Sequence, residues 1–403
     1  MDLILAGALL GVSLGSAGVG YAQDKPAHAA ATATCPAPAA WYTLLDDEPR
    51  PVTTRDLLAH VARRDVVLLG EQHDDASHHH WQLQTLAALH LLRPDMVIGF
   101  ESFPRRVQPA LDRWIAGELT VKQFLEQTEW EKVWNFPPEL YLPLFQFARV
   151  NRIPIAALNV DRALTEAIRN KGWEAVPAEQ KEGLSRPAPA ADAYRDFLFE
   201  VFKEHSRQTE KKSAAVGRND PAFQFFVESQ TTWDRAMAEA LARRLAAGDG
   251  ARRPLVVGIV GSGHIRGGNG VPHQLRDLGV SSVSTLLPVN VRRDCTEINR
   301  GLADAIFALP AMPGDQAPPP RLGIRLEETA GEVRLAEVLP GSLAEKSGLQ
   351  RGDRIVSIAG APVTKMGAVI AAVRAQPAGT WLPLQVRRNQ QALEFVVKFP
   401  PRQ

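Results

Sequence analysis

Short apolar runs alternate with longer segments of helical periodicity over the first three quarters of the chain. The apolar runs occupy residues 65–70, 96–100, 153–158, 255–260 and 283–287. Their near-continuous apolar character is typical of strands that are buried on both faces. Apolar residues recur every three or four positions, as in helices, over 81–92, 107–115 and 233–246. The alternation predicts an α/β domain with a largely parallel sheet flanked by helices.

The rest of the pattern predicts an insertion, a linker and a second domain. Residues 161–226 are polar and contain no strand-like run, which indicates a helical insertion. Residues 314–320 include three prolines, which disfavour helix and favour an extended spacer. Two domains suit a chain of this length because single cores rarely exceed about 250 to 300 residues. We predict an α/β domain over 41–295, a linker over 296–320 and a small β-rich α+β domain over 321–401.

The amino-terminal segment has features of a signal peptide. An apolar run over residues 3–12 is too short to span a bilayer, and the segment ends near Ala22, where small residues suit cleavage. Asp2 stands where basic residues usually precede such a run. We predict a signal peptide over 1–22, a low-complexity linker over 23–40, and a protein exported to the periplasm or associated with the envelope.

The charge balance excludes one class of partner. Lys and Arg number 46 against 45 for Asp and Glu, so the net charge at pH 7 is +1. Such a chain has no overall positive field that would attract a polyanion. We therefore expect no binding to nucleic acid.

The two cysteines, Cys35 and Cys295, bracket the predicted α/β domain. A bridge between them would stabilise the fold by about 5 kcal/mol in the chain-entropy model. It would also require an oxidising compartment. Two free thiols are equally compatible with the sequence, because spacing alone gives no distance between them.

Polar side chains follow four of the predicted strands. The carboxyl ends of parallel strands meet at one edge of a sheet, where loops hold side chains above a rigid scaffold. Glu71 and His73 are two residues apart, so in an extended chain they point the same way. The sequence therefore predicts one polar site from the strand-end residues Glu71, His73, Glu101, Asn159, Asp161 and His264.

The residue types at this predicted site are compatible with several kinds of chemistry. Carboxylates and imidazoles bind divalent metals, act as general acids and bases, or contact haem.

Several blocks of sequence around these residues resemble one known family. Residues 70–75, followed by His78, His79 and Gln82, are similar to the signature of the ChaN-like haem-binding proteins. Their superfamily also contains Tiki-type proteases and erythromycin esterases. The resemblance covers about 41–290 and continues through Glu101–Trp114, Tyr141–Arg149, Pro154–Asn159, Gln230–Ala238 and Gly261–Pro272.

The resemblance implies an envelope protein of bacterial type that binds haem and serves in iron or haem acquisition. A homodimer that encloses the haem is one implied arrangement. The implied haem contacts are His73, His78, His79, Tyr141, Tyr194 and His264. Many relatives are lipoproteins, whereas residues 32–34 before Cys35 lack the aliphatic residue of a lipobox. The wider superfamily implies an alternative, a metal-dependent hydrolase or peptidase acting on peptide or ester bonds. On that view the catalytic or metal-binding residues would be Glu71, His73, Glu101 and His264, and both activities stay open.

The carboxyl-terminal domain resembles a PDZ domain. The pattern Gly-Ser-x-Ala-x-x-x-Gly-Leu-x-x-Gly-Asp-x-Ile over residues 341–355 carries the likeness. It implies docking of an extended or C-terminal peptide on an edge strand, beside a helix near 366–373. The backbone amides of Leu322, Gly323 and Ile324 would hold the peptide carboxylate. A groove that packs on the first domain or on a second copy is the alternative.

Overall fold

The computed structural model describes residues 35–401 except 47, 135, 209–216, 248–252, 292–297, 311–320, 330, 375 and 378. The predicted signal peptide over 1–22 lies outside the described residues, as does most of the linker predicted over 23–40. Cys35 is disulfide-bonded. Cys295 lies outside the described residues, so the pairing of these two cysteines remains a prediction. Among the described residues, we find no helix with the length and apolar character needed to cross a membrane.

The first part of the chain alternates strands and helices. Its strands are Ala40–Thr43 (β1), Arg50–Val52 (β2), Val66–Glu71 (β3), Met96–Pro104 (β4), Ile155–Asn159 (β5), Leu255–Gly261 (β6), Val283–Asn290 (β7) and Ala305–Leu309 (β8). Its α-helices are Thr54–Val61 (α1), Ala76–Leu92 (α2), Gln108–Ala116 (α3), Val121–Gln127 (α4), Trp130–Val133 (α5), Pro138–Val150 (α6), Arg162–Lys171 (α7), Asp192–Gln208 (α8), Pro221–Ala246 (α9) and Val271–Asp277 (α10). Helices α7 and α8 confirm that the insertion over 161–226 is helical in its described part.

The strands form one mixed sheet in the order β2-β1-β8-β7-β3-β6-β4-β5. The six strands from β8 to β5 in this order run parallel, whereas β1 pairs antiparallel with both β2 and β8. Every residue of β3, β4 and β6 is buried. This confirms the predicted α/β class, because strands covered on both faces are continuously apolar.

The linker predicted over 296–320 contains a strand of the sheet. β8 pairs in parallel with β7 and antiparallel with β1. Its residues Ala305, Ile306 and Ala308 are fully buried. The physical reason is that a five-residue apolar run is sufficient for a buried strand. The sheet therefore extends to Leu309, beyond the boundary predicted at residue 295.

Two apolar layers cover the two faces of the sheet. One layer packs aromatic side chains of α3, α4 and α6 against the sheet, including Trp114, Phe124 and Phe145. The other layer packs α9 and α10 against the opposite face through Met237, Leu241 and Leu275, among others. Both layers leave the carboxyl ends of the parallel strands to loops and helix starts, where polar residues occur.

The last part of the chain is an antiparallel sheet with two short helices. Its strands are Ile324–Thr329 (β9), Glu332–Val338 (β10), Arg354–Ile358 (β11), Ala361–Pro362 (β12), Trp381–Arg388 (β13) and Gln391–Lys398 (β14). The helices are Leu343–Lys346 (α11) and Met366–Arg374 (α12). The strand order is β14-β13-β11-β10-β9, with β12 on β11, so β9 lies at an edge. A separate apolar core supports this β-rich domain.

Candidate functional site

The strand ends bring together the four residues that the sequence predicts to form one site. Glu71 is the last residue of β3 and lies beside Gly261, the last residue of β6. Glu101 follows the last pair of β4 with β6, which is Phe100 with Ile259. His73 and His264 stand on the turns directly after β3 and β6. We call this set the strand-end rim.

Gly261 is the point at which these side chains meet. Its N–H donates to Oε2 of Glu101 at 2.6 Å. A Cβ on Gly261 would lie 2.9 Å from Cε1 of His73 and 3.4 Å from Oε2 of Glu101. The absence of a side chain at this residue therefore allows the His73 ring and the Glu101 carboxylate to lie against the same backbone.

The first half of the rim is organised around the buried carboxylate of Glu71. Its Oε1 accepts a hydrogen bond from the hydroxyl of Tyr141 at 2.8 Å and lies 2.8 Å from Nδ1 of His73. Its Oε2 lies 3.2 Å from Nδ1 of His79. We call these four residues the Glu71 cluster. The carboxylate thereby fixes two imidazole rings at once.

The charges of the Glu71 cluster stabilise one another. Burial raises the pKa of Glu71, but the hydrogen bonds with His73 and His79 outweigh burial and hold that pKa far below its ordinary value. Burial lowers the pKa of both histidines, and the contact with Glu71 outweighs it, so both pKa values are raised. The cluster therefore favours an ionised carboxylate beside protonated imidazole.

The second half of the rim repeats this arrangement with different residues. Nδ1 of His264 lies 2.6 Å from Oδ1 of Asp234, and the hydroxyl of Tyr194 donates to Oδ2 of Asp234 at 2.9 Å. Nε2 of His264 lies 3.7 Å from Oε1 of Glu101. We call these four residues the His264 cluster. In both clusters a buried tyrosine hydroxyl and an imidazole share one carboxylate.

Two carboxylates control the ionisation of His264. Burial lowers the pKa of this imidazole, but Glu101 and Asp234 outweigh burial and raise it to about 9. Burial also raises the pKa of Asp234, although His264 and Tyr194 act in the opposite direction. His264 is thus an imidazolium at neutral pH, held between two acids.

The structure places the remaining predicted haem contacts away from solvent. His78 and His79 are each 2% exposed, and Nδ1 of His78 accepts the N–H of Gln72 at 2.9 Å. Tyr141 and Tyr194 are also buried, and both hydroxyls donate to carboxylates. Burial raises the pKa of both phenols, with the carboxylates adding to it. In this arrangement neither tyrosine oxygen is positioned as a phenolate ligand.

The predicted divalent-metal set is not supported by the structure. Within the described residues, no group of three or more His, Cys, Asp or Glu side chains is arranged to hold a metal ion. The physical reason is that Glu71, His73, Glu101 and His264 divide between two clusters. Oε1 of Glu71, Oε2 of Glu101 and Nδ1 of His264 are each engaged by a tyrosine, backbone or carboxylate partner instead of pointing at one common centre.

Aromatic side chains form the border of the rim, and the sequence analysis missed them. The ring of His73 lies 4.6 Å from that of Trp134 and 5.3 Å from that of Phe136. The ring of His264 lies 4.9 Å from that of Trp233. Phe197, which is 37% exposed, lies 3.8 Å from the Cβ position of Gly263. Trp134, Trp233, Phe136 and Phe197 were visible in the sequence, but aromatic residues in such positions are indistinguishable from core packing.

Several buried polar atoms at the rim have no hydrogen-bond partner among the described residues. They include Oε1 of Glu101 and Nε1 of Trp233. Buried polar groups are nearly always paired in native proteins, so a concentration of exceptions indicates a site that receives a ligand or water. These atoms adjoin His73 and His264, the two imidazoles on the turns after β3 and β6.

Comparison with known families assigns the α/β domain. The family model described as haem-binding uptake, Tiki superfamily, ChaN matches residues 57–275, which is more than half of the chain. The chain belongs to this haem-binding family. A PDZ model matches residues 334–388, so the carboxyl-terminal domain is a PDZ domain, as predicted.

Solved structures and curated relatives divide between the two domains. A structure described as cofacial haem binding to ChaN of Campylobacter jejuni is 20% identical and has a TM-score of 0.52. The match covers 68% of this chain and 98% of that chain, and it shows the fold. The regulator of sigma-E protease RseP of Escherichia coli K12 is 38% identical over 85 residues, and that of Salmonella typhimurium 14028s is 40% identical. The chain spans only 19% of the length of these relatives.

Proposed function

We propose that the strand-end rim binds haem and that His73 is the iron ligand. Of the six predicted haem contacts, His73 combines an anchored ring with access to solvent. Its side chain is 29% exposed, whereas that of His264 is 11% exposed. Nδ1 of His73 is held by Glu71 at 2.8 Å, which orients the ring and leaves Nε2 for iron. A carboxylate behind a ligating histidine is the usual support for a metal-bound imidazole.

The aromatic border supports this proposal because haem is a flat apolar macrocycle. Trp134 and Phe136 flank His73, and Phe197 is exposed beside Gly263. Such rings would pack on a porphyrin face by offset or edge contacts. When bound, haem would supply ligand exchange and electron transfer at its iron. The chain would orient the macrocycle and hold the His73 proton on Nδ1.

A second copy of the chain provides a way to cover an open haem face. The related ChaN of Campylobacter jejuni binds haem cofacially by its description. We extend this to the present chain as a homodimer whose two rims enclose haem. Sedimentation velocity with and without hemin tests this point, since a dimer that forms only with hemin is the expected result.

The PDZ domain would dock the C-terminus of a partner protein. Leu322 and Gly323 have their carbonyls engaged by the N–H groups of Ala344 and Leu339, at 3.0 and 2.9 Å. Gly323 has a φ of +75°, and a Cβ on it would lie 2.4 Å from Cβ of Ser342. This backbone suits a loop whose amide groups receive a carboxylate beside the open edge of β9.

We also propose that the protein is exported. The amino-terminal apolar run favours transport to the periplasm or envelope, where a haem-binding protein would serve in iron or haem acquisition. A fusion of residues 1–40 to a reporter that is active only in the periplasm tests it. A reporter that stays inactive while a known signal peptide activates it contradicts export.

The decisive experiment is a hemin titration followed by the Soret band. The wild-type protein should give a saturable shift, and His73→Ala should weaken binding by at least about tenfold, since the iron ligand is lost. His60→Ala is the matched control, because His60 is an exposed histidine on α1. Equal affinity of the wild type and the His73→Ala variant contradicts the ligand assignment. The absence of any saturable shift contradicts haem binding itself.

One observation favours hydrolysis as a second candidate function. Oε1 of Glu101 is buried without a hydrogen-bond partner in the described chain, and it lies 3.7 Å from Nε2 of the protonated His264. A carboxylate and an imidazolium at this distance provide a general base and a general acid. A panel of peptides and esters, tested with wild type and Glu101→Gln, examines this function. Turnover that the variant retains would not come from this site.

A further inference from the structure

One face of the PDZ edge strand β9 changes from apolar to acidic along its length. In the pairing with β10, Leu326 lies opposite Leu335 and Glu328 lies opposite Val333. Val333 and Leu335 are buried in the PDZ core. Residues directly opposite in an antiparallel pair project to the same face. Glu328 therefore shares the inner face of β9 with Leu326, although it is a charged residue.

The carboxylate of Glu328 lies between β9 and α12. Its Oε2 accepts the N–H of Met366, the first residue of α12, at 2.8 Å. Ile370, one turn further along α12, is 44% exposed. The groove between strand and helix thus has an apolar part toward Ile324 and an acidic end at Glu328.

Glu328 is the acidic residue at this part of β9 that faces the groove between β9 and α12. Its neighbour Glu327 projects to the opposite face, where it lies directly across from Arg334. On the α12 side, Lys365 interacts electrostatically with Glu328, and its Nζ is held by Glu131 at 2.8 Å. The carboxylate of Glu328 therefore accepts the N–H of Met366, and the nearby cation Lys365 is shared with Glu131.

We propose that Glu328 selects a Lys or Arg side chain four residues before the C-terminal residue of the docked peptide. This inference rests on the proposed peptide docking. A carboxylate held at Leu322–Ile324 fixes the peptide antiparallel to β9, with its last residue beside Ile324. Each step back along the peptide then advances one residue along β9. The residue four positions before the end lies beside Glu328 and points to the same face.

The test uses the full chain and labelled decapeptides that end in valine with a free carboxylate. The peptides carry Lys, Gln or Glu four residues before the end, and binding is followed by fluorescence anisotropy. The Lys peptide should bind about three- to fivefold more tightly than the Gln peptide, the size of an exposed ion pair. In Glu328→Gln this ratio should fall to about one, because the amide keeps the bond to Met366 but loses the charge.

Two controls separate this inference from the docking proposal. Glu327→Gln removes the neighbouring charge on the other face and should leave the Lys preference unchanged. The same Lys, Gln and Glu exchange three residues before the end places the changed side chain beside Glu327 on the other face, so any preference measured there should be unchanged in Glu328→Gln. Equal binding of all three peptides, or a preference that persists in Glu328→Gln, overturns the inference alone. Failure of every peptide to bind, or equal binding after amidation of the C-terminus, contradicts docking itself.

Discussion

Oδ1 of Asp234 lies 2.6 Å from Nδ1 of His264, where Asp234 is fully buried and the side chain of His264 is 11% exposed. This pair fixes the ring so that Nε2 points toward Glu101. Asp234 therefore positions an imidazolium that faces the rim. The charge of Asp234, more than its shape, should determine the pKa of His264.

Asp234→Asn should lower the pKa of His264 from about 9 toward its ordinary value of 6.5. The substitution keeps an oxygen acceptor but removes one of the two negative charges that hold the proton. A titration of the His264 ring by NMR measures the change. Asp277→Asn, which removes a carboxylate paired with Arg235 elsewhere, is the control. A His264 pKa that stays near 9 in Asp234→Asn would contradict this role.

The stability contributed by His264 should decline in alkaline solution. A pKa raised on folding gives stability that is fully present below the unfolded value of about 6.5 and is lost as pH rises through about 9. The difference in unfolding free energy between wild type and His264→Gln should shrink between pH 6 and 10, by on the order of a few kcal/mol. Urea unfolding at several pH values measures it. A difference that is constant with pH would contradict the assignment.

Tyr141→Phe should preserve the spectrum of the haem complex and reduce stability. The hydroxyl of Tyr141 donates to the buried Glu71 carboxylate, so its removal leaves that carboxylate with one donor fewer. The loss should be about 1 to 3 kcal/mol in unfolding free energy. Urea unfolding and the visible spectrum with hemin are the two measurements. If the variant instead loses the ligand bands of the wild-type complex, Tyr141 is an iron ligand and the His73 assignment is wrong.

Gly261→Ala should weaken haem binding more than it weakens the fold. The added Cβ would lie 2.9 Å from Cε1 of His73, so the ring must move from its position. Gly217→Ala is a matched control, because nothing lies within 4 Å of its Cβ position. We expect about tenfold weaker hemin binding for Gly261→Ala, equivalent to roughly 1.4 kcal/mol. Unchanged affinity would show that the His73 ring has room to move.

The Arg388→Ala variant should destabilise the PDZ domain. Asp353 is fully buried and lies 2.7 Å from both Nε and Nη2 of Arg388. The side chain of Arg388 is 23% exposed, and its removal takes two charged donors from the buried carboxylate of Asp353, at a cost of about 1 to 3 kcal/mol. Thermal unfolding with a PDZ peptide as probe reports the change. The Soret titration should be unaffected, since the substitution leaves the rim intact.

The sequence was sufficient to predict the sheet where strands are buried on both faces. The run over 65–70 became β3 and the run over 255–260 became β6, because near-continuous apolar residues suit a central parallel strand. β1, β2 and β8 were missed. β1 and β2 pair antiparallel at the edge of the sheet, and the pairing of β1 with β8 joins residues more than 260 positions apart.

The site was predictable only in part. Glu71, His73, Glu101 and His264 follow strands, so topology alone brings them together. Asp234 lies inside the long helix α9, where a carboxylate ordinarily faces solvent, and only tertiary packing buries it against His264. The sequence also suggested Tyr141 and Tyr194 as ligands. It contained no sign that each hydroxyl would instead be bound to a carboxylate distant in the chain.

The pairing of β8 with β1 determines when the α/β domain can finish folding. Ala40–Thr43 finds its partner only after residue 309 has been synthesised, so one edge of the sheet stays open until then. A fragment that ends at residue 295 would lack β8, exposing the edge of β7 and detaching β1 and β2. Open edges of this kind invite pairing between chains. The smallest piece that can be excised for study therefore runs past Leu309, into the segment that leads to the PDZ domain.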